Sequence, residues 1–166
     1  EMCIRDSVYT LGKNGNNKNF LADIKTQKKI GASFHLTNRG GDITYHGPEQ
    51  IVGYPIIDLE NFFTDLGKYM RGIEEVIIET LNEFSIKAER SAGETGVWID
   101  TKNNPRKICA IGVKTSRWVT MHGFALNVNN DLSYFDHIVP CGITNKKVTS
   151  MKNELNVDIC LLYTSP

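Results

Sequence analysis

The sequence predicts a mixed α/β (α+β) domain in which one long helix packs against a mixed β-sheet. Three observations lead to this prediction: an apolar stripe with helical spacing between residues 62 and 84, a series of short apolar runs after residue 86, and a glycine-containing entry into a strand near residue 43. A helix stripe and a sheet face both have to be buried, and packing one on the other satisfies both. A chain of 166 residues is long enough to build one such core.

The chain before residue 38 predicts two strands separated by polar and helical segments. Val8–Thr10 is interpreted as the end of a strand, and Gly12–Asn19 as a flexible polar loop. Phe20–Lys29 predicts a weak helix or a turn. Ile30–Leu36 predicts a strand that leads to Arg39.

Arg39–Leu59 is the stretch around which the predicted fold is organised. It begins with two adjacent glycines and continues through a short strand, Ile43–His46, to a turn at Gly47-Pro48. It ends in an apolar run, Ile51–Leu59, that predicts a buried strand. Because glycine has no Cβ, the loop backbone can lie close to another chain or a ligand. We therefore interpret this stretch as a pocket wall, with a polar-tipped hairpin as the alternative.

An amphipathic helix is predicted next, and it is the clearest helix in the chain. Asn61 is the expected N-cap, since its side-chain oxygen can accept a hydrogen bond from a first-turn amide. Apolar residues then recur at three- and four-residue steps, which predicts that one face lies in the core. The residues of this stripe are Phe62, Leu66, Tyr69, Ile73, Val76, Ile77, Thr80, Leu81 and Phe84.

After the helix the pattern changes to strands joined by short turns. Hairpin turns are expected at Asn103-Asn104-Pro105 and at Thr115-Ser116, and a bend between strands at His122-Gly123. The predicted strands are Ile86–Glu89, Gly96–Asp100, Arg106–Lys114, Arg117–His122 and Phe124–Asn129.

The two ends of the chain have an unusual relation at the DNA level. A short DNA that encodes Glu1–Ser7 gives the sequence of Cys160–Ser165 when its reverse complement is translated in another frame. We therefore expect residues 1–7 and 160–166 to be a non-native translation of a sequencing adapter that packs on nothing. The natural segment would then be residues 8–159, a single catalytic-type domain truncated at both ends.

Charge and cysteine content limit the function classes. Without the two ends, Arg5, Glu1 and Asp6 are removed, which leaves 18 basic and 17 acidic residues and no electrostatic case for nucleic acid or an anionic membrane. Cys109 and Cys141 remain, and so few cysteines suggest free thiols in a reducing compartment. No run is long and apolar enough to span a bilayer.

Cys141 is the candidate nucleophile. It lies between Pro140 and Gly142, so its thiol is expected on a rigid turn and not in a packed core. Lys107 opens an apolar strand, and an ammonium beside a thiol would stabilise the thiolate and lower its pKa. The alternatives are a buried structural cysteine and a solvated lysine at a strand end.

Other arrangements of the same residue types remain open. Cys109 lies on the strand of Lys107 and is expected to be buried. Together with His46, His122 and Cys141 it is a possible zinc set, although no pair has the spacing of a typical zinc motif. A hydrolytic Cys–His dyad is a further possibility that spacing does not decide.

Four blocks of the sequence resemble the LipB family of octanoyltransferases: RGGDITYHGP, KICAIGVK, HGFALNVNNDLSYF, and IVPCGI followed by VTSM. They span most of Arg39–Met151. The resemblance implies the biotin/lipoate protein ligase-like fold, with Cys141 as the acyl-thioester nucleophile and Lys107 as the residue that lowers its pKa and acts as acid and base. A departure is Glu49, where the family often has glycine.

The resemblance also implies a set of substrate-binding residues. They form three groups, with Tyr45 and Phe124 as expected lining of an apolar tunnel for the acyl chain. The implied residues are Arg39, Gly40, Gly41, Asp42, Ile43, Thr44, Tyr45 and His46, then Ala110, Ile111 and Gly112, then Gly123, Phe124 and Ala125.

The implied reaction moves an octanoyl group from octanoyl-acyl carrier protein to a lysine of a lipoyl domain, the first step of lipoate biosynthesis. The implied acceptors are E2 subunits of 2-oxoacid dehydrogenases and the glycine cleavage H protein. The resemblance implies a cytoplasmic monomer that needs neither a cofactor nor a metal and binds neither nucleic acid nor a membrane. The alternatives are an ATP-dependent lipoate or biotin protein ligase of the same fold and an inactive acyl-binding fragment.

Overall fold

The computed structural model describes residues 6–139 and 147–161. Its helices are α1 (Ile24–Ile30), α2 (Leu66–Glu83) and α3 (Met151–Leu155), with short 3-10 turns at Asn17–Asn19, Leu59–Asn61 and Leu132–His137. Its strands are β1 (Val8–Leu11), β2 (Ser33–Leu36), β3 (Ile43–His46), β4 (Gln50–Gly53), β5 (Val97–Ile99), β6 (Arg106–Ser116), β7 (Val119–Asn127) and β8 (Lys147–Val148).

The strands form two sheets, so the predicted mixed α+β class is confirmed. In the smaller sheet the order is β2-β1-β3, with β1 parallel to β2 and antiparallel to β3. In the larger sheet the order is β4-β7-β6-β5, and β8 pairs in parallel with the beginning of β6. The β6–β7 hairpin is the longest pairing, from Cys109↔Leu126 to Ser116↔Val119.

Each sheet has its own apolar cluster. Helix α2 packs Tyr69, Ile73, Ile77 and Leu81 against the larger sheet, and all four are buried. Each fully buried side chain of this kind stabilises the fold by about 1.5–3 kcal/mol. The smaller sheet buries a cluster that includes Tyr9, Leu11, Ala32, Ile43, Tyr45 and Ile138.

The long helix begins later than predicted. Its N-cap is Asp65, whose side chain accepts from the amide of Lys68 at 2.9 Å, while Asn61 belongs to the preceding 3-10 turn. Phe62 therefore lies outside the helix and is 72% exposed. Val76, Thr80 and Phe84 are also exposed, so the prediction of a fully buried stripe was wrong at these four positions.

The predicted buried strand over Ile51–Leu59 is only partly formed. Strand β4 ends at Gly53, two residues before Pro55, which has no N–H to offer a strand ladder. Ile51 on β4, the edge strand of its sheet, is exposed, and so are Tyr54 and Ile56 beyond the end of the strand. The alternative of a β3–β4 hairpin is also wrong, because the two strands pair in different sheets.

The strands after the helix differ from the prediction in three places. Ile86–Glu89 forms no strand, and Glu89 makes an isolated bridge to Trp98. The β6–β7 turn is Arg117-Trp118, both with positive φ, as a type I′ hairpin turn requires. Strand β7 continues through the predicted bend at His122-Gly123.

Two residues of the terminal segments make contacts in the fold. Ser7 Oγ lies 3.0 Å from the hydroxyl of Tyr45, and the Ser7 carbonyl accepts from Ser33 N at 3.0 Å. Leu161 packs against the larger apolar cluster. The prediction that both end segments pack on nothing is therefore wrong at these positions.

No helix in the described ranges is long and apolar enough to cross a membrane.

Candidate functional site

A cavity of about 780 Å³ lies where the two sheets meet. Its wall combines the loop before β3, strand β3 itself, the middle of β6 and β7, the first turns of α2, and the loop before β5. A cavity of this size is typical of small-molecule sites. Its lining includes Arg39, Gly40, Gly41, Asp42, Ile43, Thr44, His46, Gln50, Lys107, Ala110, Ile111, Gly112, His122, Gly123, Phe124 and Ala125.

The glycine loop is held directly on strand β6. Gly40 N donates to the Val113 carbonyl at 2.9 Å, and a Cβ on Gly112 would lie 3.0 Å from the Gly40 carbonyl oxygen. Gly41 has φ of +83°, in the left-handed region that favours glycine. These close approaches are the physical reason for glycine at positions where the sequence predicted a pocket wall.

Arg39 anchors this loop to the smaller sheet. Its guanidinium donates to the Thr10 carbonyl at 2.7 Å, to Thr10 Oγ1 at 3.0 Å and to the Gly40 carbonyl at 3.0 Å. The side chain is 9% exposed. A buried cation that donates to the main chain on both sides fixes the position of the loop, so its contacts are those of a positioning residue.

Asp42 lines the cavity while its carboxylate is held by the first polar loop, and Tyr45 lies outside the lining. The Asp42 carboxylate accepts from the Asn16 amide at 3.2 Å and from the Asn19 side chain, which ties the first polar loop to β3. Tyr45 is 1% exposed and stacks on Tyr134 with ring centroids 4.6 Å apart. Burial raises the pKa of Tyr45. The structure therefore places Tyr45 in the smaller core and not in the cavity wall, contrary to the expected tunnel lining.

Lys107 lies on the cavity wall at the beginning of β6. Its Cα partners are Trp98 on β5 and Val148 on β8, and its Nζ lies 4.6 Å from the centroid of the Trp98 ring. A cation over an indole face is attracted by the ring quadrupole, which orders the ammonium group. The contact holds Lys107 on the side of the cavity where β8 begins.

A buried carboxylate that the sequence analysis did not identify supports the loop beside Lys107. Glu74 on α2 is fully buried and accepts from Gly96 N at 3.0 Å, from Arg90 Nε at 3.0 Å and from Arg71. Gly96 has φ of +116°, and a Cβ there would lie 2.6 Å from the Cys109 carbonyl oxygen. The sequence did contain a signal for Glu74, because a charged residue next to Ile73 on the apolar face of a helix needs a buried partner.

Cys141 lies outside the described residues, but both flanks of its segment are described. Before it, Val139 N donates to the Asn19 carbonyl at 2.8 Å. After it, Val148 pairs with Lys107, and Thr149 N donates to the Lys107 carbonyl at 2.9 Å. Phe135 and Val148, one from each flank, line the cavity.

Cys109 is buried, as the sequence predicted. It is fully inaccessible, and its Sγ contacts the Ala110 carbonyl oxygen at 3.7 Å. Burial raises the pKa of this thiol far above its usual range, although a hydrogen bond with the Ala125 main chain and the charge of Lys107 act in the opposite direction. A thiol in this state is a poor nucleophile.

The two pocket histidines are held by amide side chains. His46 Nδ1 lies 3.0 Å from Gln50 Oε1, and His122 Nε2 lies 2.8 Å from Asn38 Oδ1. His122 has φ of +62°, and burial together with Arg39 and Lys114 lowers its pKa. The described part of the chain contains no group of three or more His, Cys, Asp or Glu side chains suited to a metal, so His46, His122 and Cys109 do not form the zinc set considered above.

Three buried polar residues that were not predicted from the sequence form hydrogen bonds beneath the cavity wall. Gln50 and Asn127 are buried on β4 and β7, and Thr149 is buried after β8. They form a hydrogen-bonded chain with His46. The signal for Gln50 and Asn127 was an amide residue within apolar strands, where it has to find a partner.

The chain is similar in sequence to curated octanoyltransferases. The relative from Christiangramia forsetii is 64% identical over 149 residues, which cover 89% of this chain and 64% of the relative. The relative from Parabacteroides distasonis is 54% identical over 157 residues, 93% of this chain and 71% of the relative. The chain thus spans less than two thirds of the length of the first of these relatives.

Its fold is similar to that of solved lipoylation proteins. A bi-partite lipoate protein ligase from Thermoplasma acidophilum matches with a TM-score of 0.65 at 17% identity, over 95% of this chain and 63% of that one. P. falciparum LipL1, solved in complex with lipoate, matches with a TM-score of 0.69 at 16% identity, over 93% of this chain and 40% of that one. These likenesses confirm the lipoate protein ligase-like fold.

The family model described as the lipoyl protein ligase A/B catalytic domain matches residues 2–162. Together with the curated relatives, this match confirms the resemblance that the four sequence blocks indicated. The chain therefore belongs to the lipoyl protein ligase A/B catalytic domain family.

Proposed function

We propose that this chain is the catalytic part of an octanoyltransferase that moves an octanoyl group from octanoyl-acyl carrier protein to a lysine of a lipoyl domain, through a thioester on Cys141. The observation that carries the proposal is the position of Lys107. It lines the cavity, and it pairs with the residues that immediately follow the Cys141 segment. The curated relatives named octanoyltransferase support the choice of acyl group.

The described cavity suits an apolar chain that carries one polar end. Val52, Leu66, Met70, Ile111 and Phe124 contribute apolar wall, and the polar groups concentrate along the glycine loop and the histidines. Apolar burial gives such a site its affinity, and a few polar groups fix the orientation of the ligand. Octanoate would place its hydrocarbon chain against the apolar wall and its carbonyl towards Lys107.

The reaction would proceed in two nucleophilic steps. Cys141 thiolate attacks the thioester carbonyl of the donor, and the carrier thiol leaves and takes up a proton. The acceptor lysine, as a neutral amine, then attacks the Cys141 thioester, and the cysteine leaves as thiolate while the amide forms. Lys107 would stabilise the thiolate as an ammonium and exchange the protons of both steps.

The main chain of the glycine loop offers fewer free amide groups to stabilise the oxyanion than its two glycines suggest. The Gly40 amide already donates to the Val113 carbonyl at 2.9 Å, so it is not a free oxyanion donor. The Gly41 amide, whose residue has φ of +83°, and the amides around Cys141 are the candidates that remain.

The proposed partners are octanoyl-acyl carrier protein as donor and, as acceptors, the lipoyl domains of 2-oxoacid dehydrogenase E2 subunits and the glycine cleavage H protein. The proposed setting is the cytoplasm, with the enzyme acting as a monomer. Neither step needs ATP or a metal ion, because the free energy of the donor thioester drives amide formation.

The direct test is the covalent intermediate. Incubating the chain with octanoyl-acyl carrier protein and no acceptor should add one octanoyl group, measured by intact mass and mapped to Cys141, and hydroxylamine should remove it. Cys141→Ser should abolish the thioester, whereas the matched variant Cys109→Ser should retain it because Cys109 is buried. Lys107→Met should slow alkylation of Cys141 at neutral pH.

Three results would contradict the proposal. Acylation at Cys109 would identify a different nucleophile. Octanoyl transfer by Cys141→Ala at the wild-type rate would exclude the thioester. AMP formation from ATP and free octanoate, without any use of the carrier-bound donor, would identify an ATP-dependent ligase of the same fold.

A further inference from the structure

The side chain of Lys107 is held by two residues at the beginning of β5. Its Nζ lies 4.6 Å from the centroid of the Trp98 ring. Its stem lies beside Gly96, where a Cβ would be 3.5 Å from Lys107 Cε and 2.6 Å from the Cys109 carbonyl oxygen. A side chain at position 96 would therefore force the main chain to shift here. The positions of Gly96 and Trp98 thus determine where the ammonium group of Lys107 lies.

Gly96 is in turn fixed by the buried carboxylate of Glu74. Gly96 N donates to Glu74 Oε1 at 3.0 Å. The other carboxylate oxygen, Oε2, accepts from Arg90 Nε at 3.0 Å and from the guanidinium of Arg71. Arg90 also donates to the Arg71 carbonyl at 3.0 Å, which joins the two arginines to each other. One oxygen of Glu74 is therefore held by two cations, while the other oxygen holds the main chain of the loop.

A buried carboxylate is a costly way to fill the core. An apolar side chain of similar size would pack on α2 without the cost of taking a charge out of water. What the carboxylate of Glu74 provides, and an apolar side chain does not, is a fixed acceptor for one main-chain amide. That amide belongs to the residue beside Lys107 Cε, and residues 93–95 directly before it line the cavity. The buried charge therefore acts at the cavity wall.

We propose that Glu74 is a positioning residue that acts through Gly96 to hold the ammonium group of Lys107 in the orientation that octanoyl transfer requires. This role rests on the proposed function, in which Lys107 stabilises a thiolate and exchanges protons. Glu74 itself touches neither the substrate nor the reacting atoms. Loss of its carboxylate would leave the glycine-loop wall of the cavity in place and let Lys107 move. It should therefore reduce turnover and not substrate binding.

The position of Lys107 can be measured without any assay of activity. The chain with 13C-labelled lysine is examined by ¹H–13C correlation, and the signals of Lys107 are assigned with Lys107→Arg. Because its ammonium lies over the Trp98 ring, the ring current should displace the adjacent ε-methylene protons upfield from those of exposed lysines. We expect two resolved, upfield ε-proton signals in the wild type. Signals at the position of exposed lysines would overturn the proposal, whatever the variants do.

Variants then test whether Glu74 is the cause. In Glu74→Gln only one end of the side chain can accept, so the Gly96 amide and two guanidinium groups compete for it. The Lys107 signals should move most of the way to the exposed-lysine position. Glu74→Asp keeps the charge but is one methylene shorter, and it should give an intermediate shift even if Glu74→Gln does not fold. Lys107 signals at the wild-type position in every folded Glu74 variant would refute the positioning role.

Glu75→Gln is the matched control. Glu75 follows Glu74 in α2 and binds Arg90 from the exposed side of the helix, so the same substitution there removes a carboxylate from the cluster without removing the acceptor of Gly96. The Lys107 signals should keep their wild-type position in this variant. A shift as large as that of Glu74→Gln would assign the effect to Arg90 and contradict the proposal.

Steady-state kinetics separate positioning from a general loss of structure. With octanoyl-acyl carrier protein as donor and a lipoyl domain as acceptor, Glu74→Gln should lower kcat about tenfold, as a slightly misplaced catalytic group does, and leave both KM values unchanged. Glu75→Gln should change neither parameter. A raised KM with an unchanged kcat would contradict the positioning role. If the wild type transfers no octanoyl group, the proposed function fails, and the lysine signals still decide whether Glu74 positions Lys107.

Discussion

Replacing Gly123 by alanine should strongly destabilise the fold, because Gly123 lies where three strands come into backbone contact. It pairs with Gly112 on β6, and on the other side β4 crosses close to it. A Cβ at Gly123 would lie well under 3.0 Å from the Gly53 carbonyl oxygen and 2.7 Å from Pro55 Cδ. Neither a main-chain carbonyl nor a proline ring can rotate away. The methyl group would have to push β4 off β7.

The magnitude follows from the kind of contact. Overpacking typically costs about 1–3 kcal/mol, and a backbone clash belongs at the upper end. For a chain of this size, 1 kcal/mol corresponds to about 2–4 °C in Tm. We therefore expect Gly123→Ala to lower Tm by about 6–12 °C, measured by calorimetry or by circular dichroism.

The control is a glycine in a different environment. Gly72 lies on the exposed face of α2, and a Cβ there would meet nothing within 4 Å. Since alanine is favoured over glycine in a helix by about 0.5–1 kcal/mol, Gly72→Ala should raise Tm by about 1–4 °C. If Gly123→Ala has the same Tm as the wild type, the close approach of β4 and β7 is refuted. If Gly72→Ala lowers Tm by as much as Gly123→Ala does, the steric explanation is refuted.

Two further predictions concern ionisable groups. Native Cys109 should react with iodoacetamide at least about tenfold more slowly than exposed Cys160, because burial raises the pKa of the Cys109 thiol; comparable labelling by peptide mapping would contradict its burial. The hydrogen bond from Arg106 lowers the pKa of Glu154 in the folded chain, so the stability that Glu154 contributes is present above the unfolded pKa and is lost as pH falls. Tm should therefore fall more steeply between about pH 5 and pH 3 in wild type than in Glu154→Gln, and parallel curves would exclude the linkage.

The parts of the fold that sequence alone predicts are those with a strong period. The apolar stripe of α2 correctly predicted the burial of Tyr69, Ile73, Ile77 and Leu81. The strand predictions for β5 and β6 were also correct in position, and the β7 region was correctly predicted as extended but wrongly divided at His122-Gly123. In these segments the apolar pattern and the tertiary structure demand the same conformation.

The errors arise where tertiary contacts override local signals. Asn61 and Asp65 are both good N-caps, but Asn61 ends the 3-10 turn that begins at buried Leu59, and Asp65 caps α2. Arg117 and Trp118 lack turn composition, but the Trp118 carbonyl accepts from Leu59 N at 3.0 Å and so fixes the turn from outside the hairpin. Glu49 occupies φ of +60°, in the left-handed region that favours glycine.

The candidate site was predictable in composition but not in detail. Strand alternation places Tyr45 and His46 on opposite faces of β3, and the structure buries Tyr45 in the smaller core while His46 lines the cavity. The Gln50–Asn127 contact joins residues 77 positions apart, and no spacing in the sequence indicates it. The hydrogen bond from Gly96 N to Glu74 likewise connects residues that are 22 positions apart in the sequence.

The glycines explain why blocks so distant in sequence form one cavity. Gly123 was interpreted as a bend because glycine is rare in strand interiors, yet in a strand it also marks a close backbone approach. Here Gly112 and Gly123 are register partners, and the Gly40 carbonyl and the Gly53 carbonyl approach them from the two sides. With any larger residue at these positions, the glycine loop and the edge strand β4 would stand further from the β6–β7 hairpin. The site is therefore built by backbone contact of the glycine loop with β6 and of β4 with β7, and the side chains of Lys107 and His46 line the cavity that these contacts enclose.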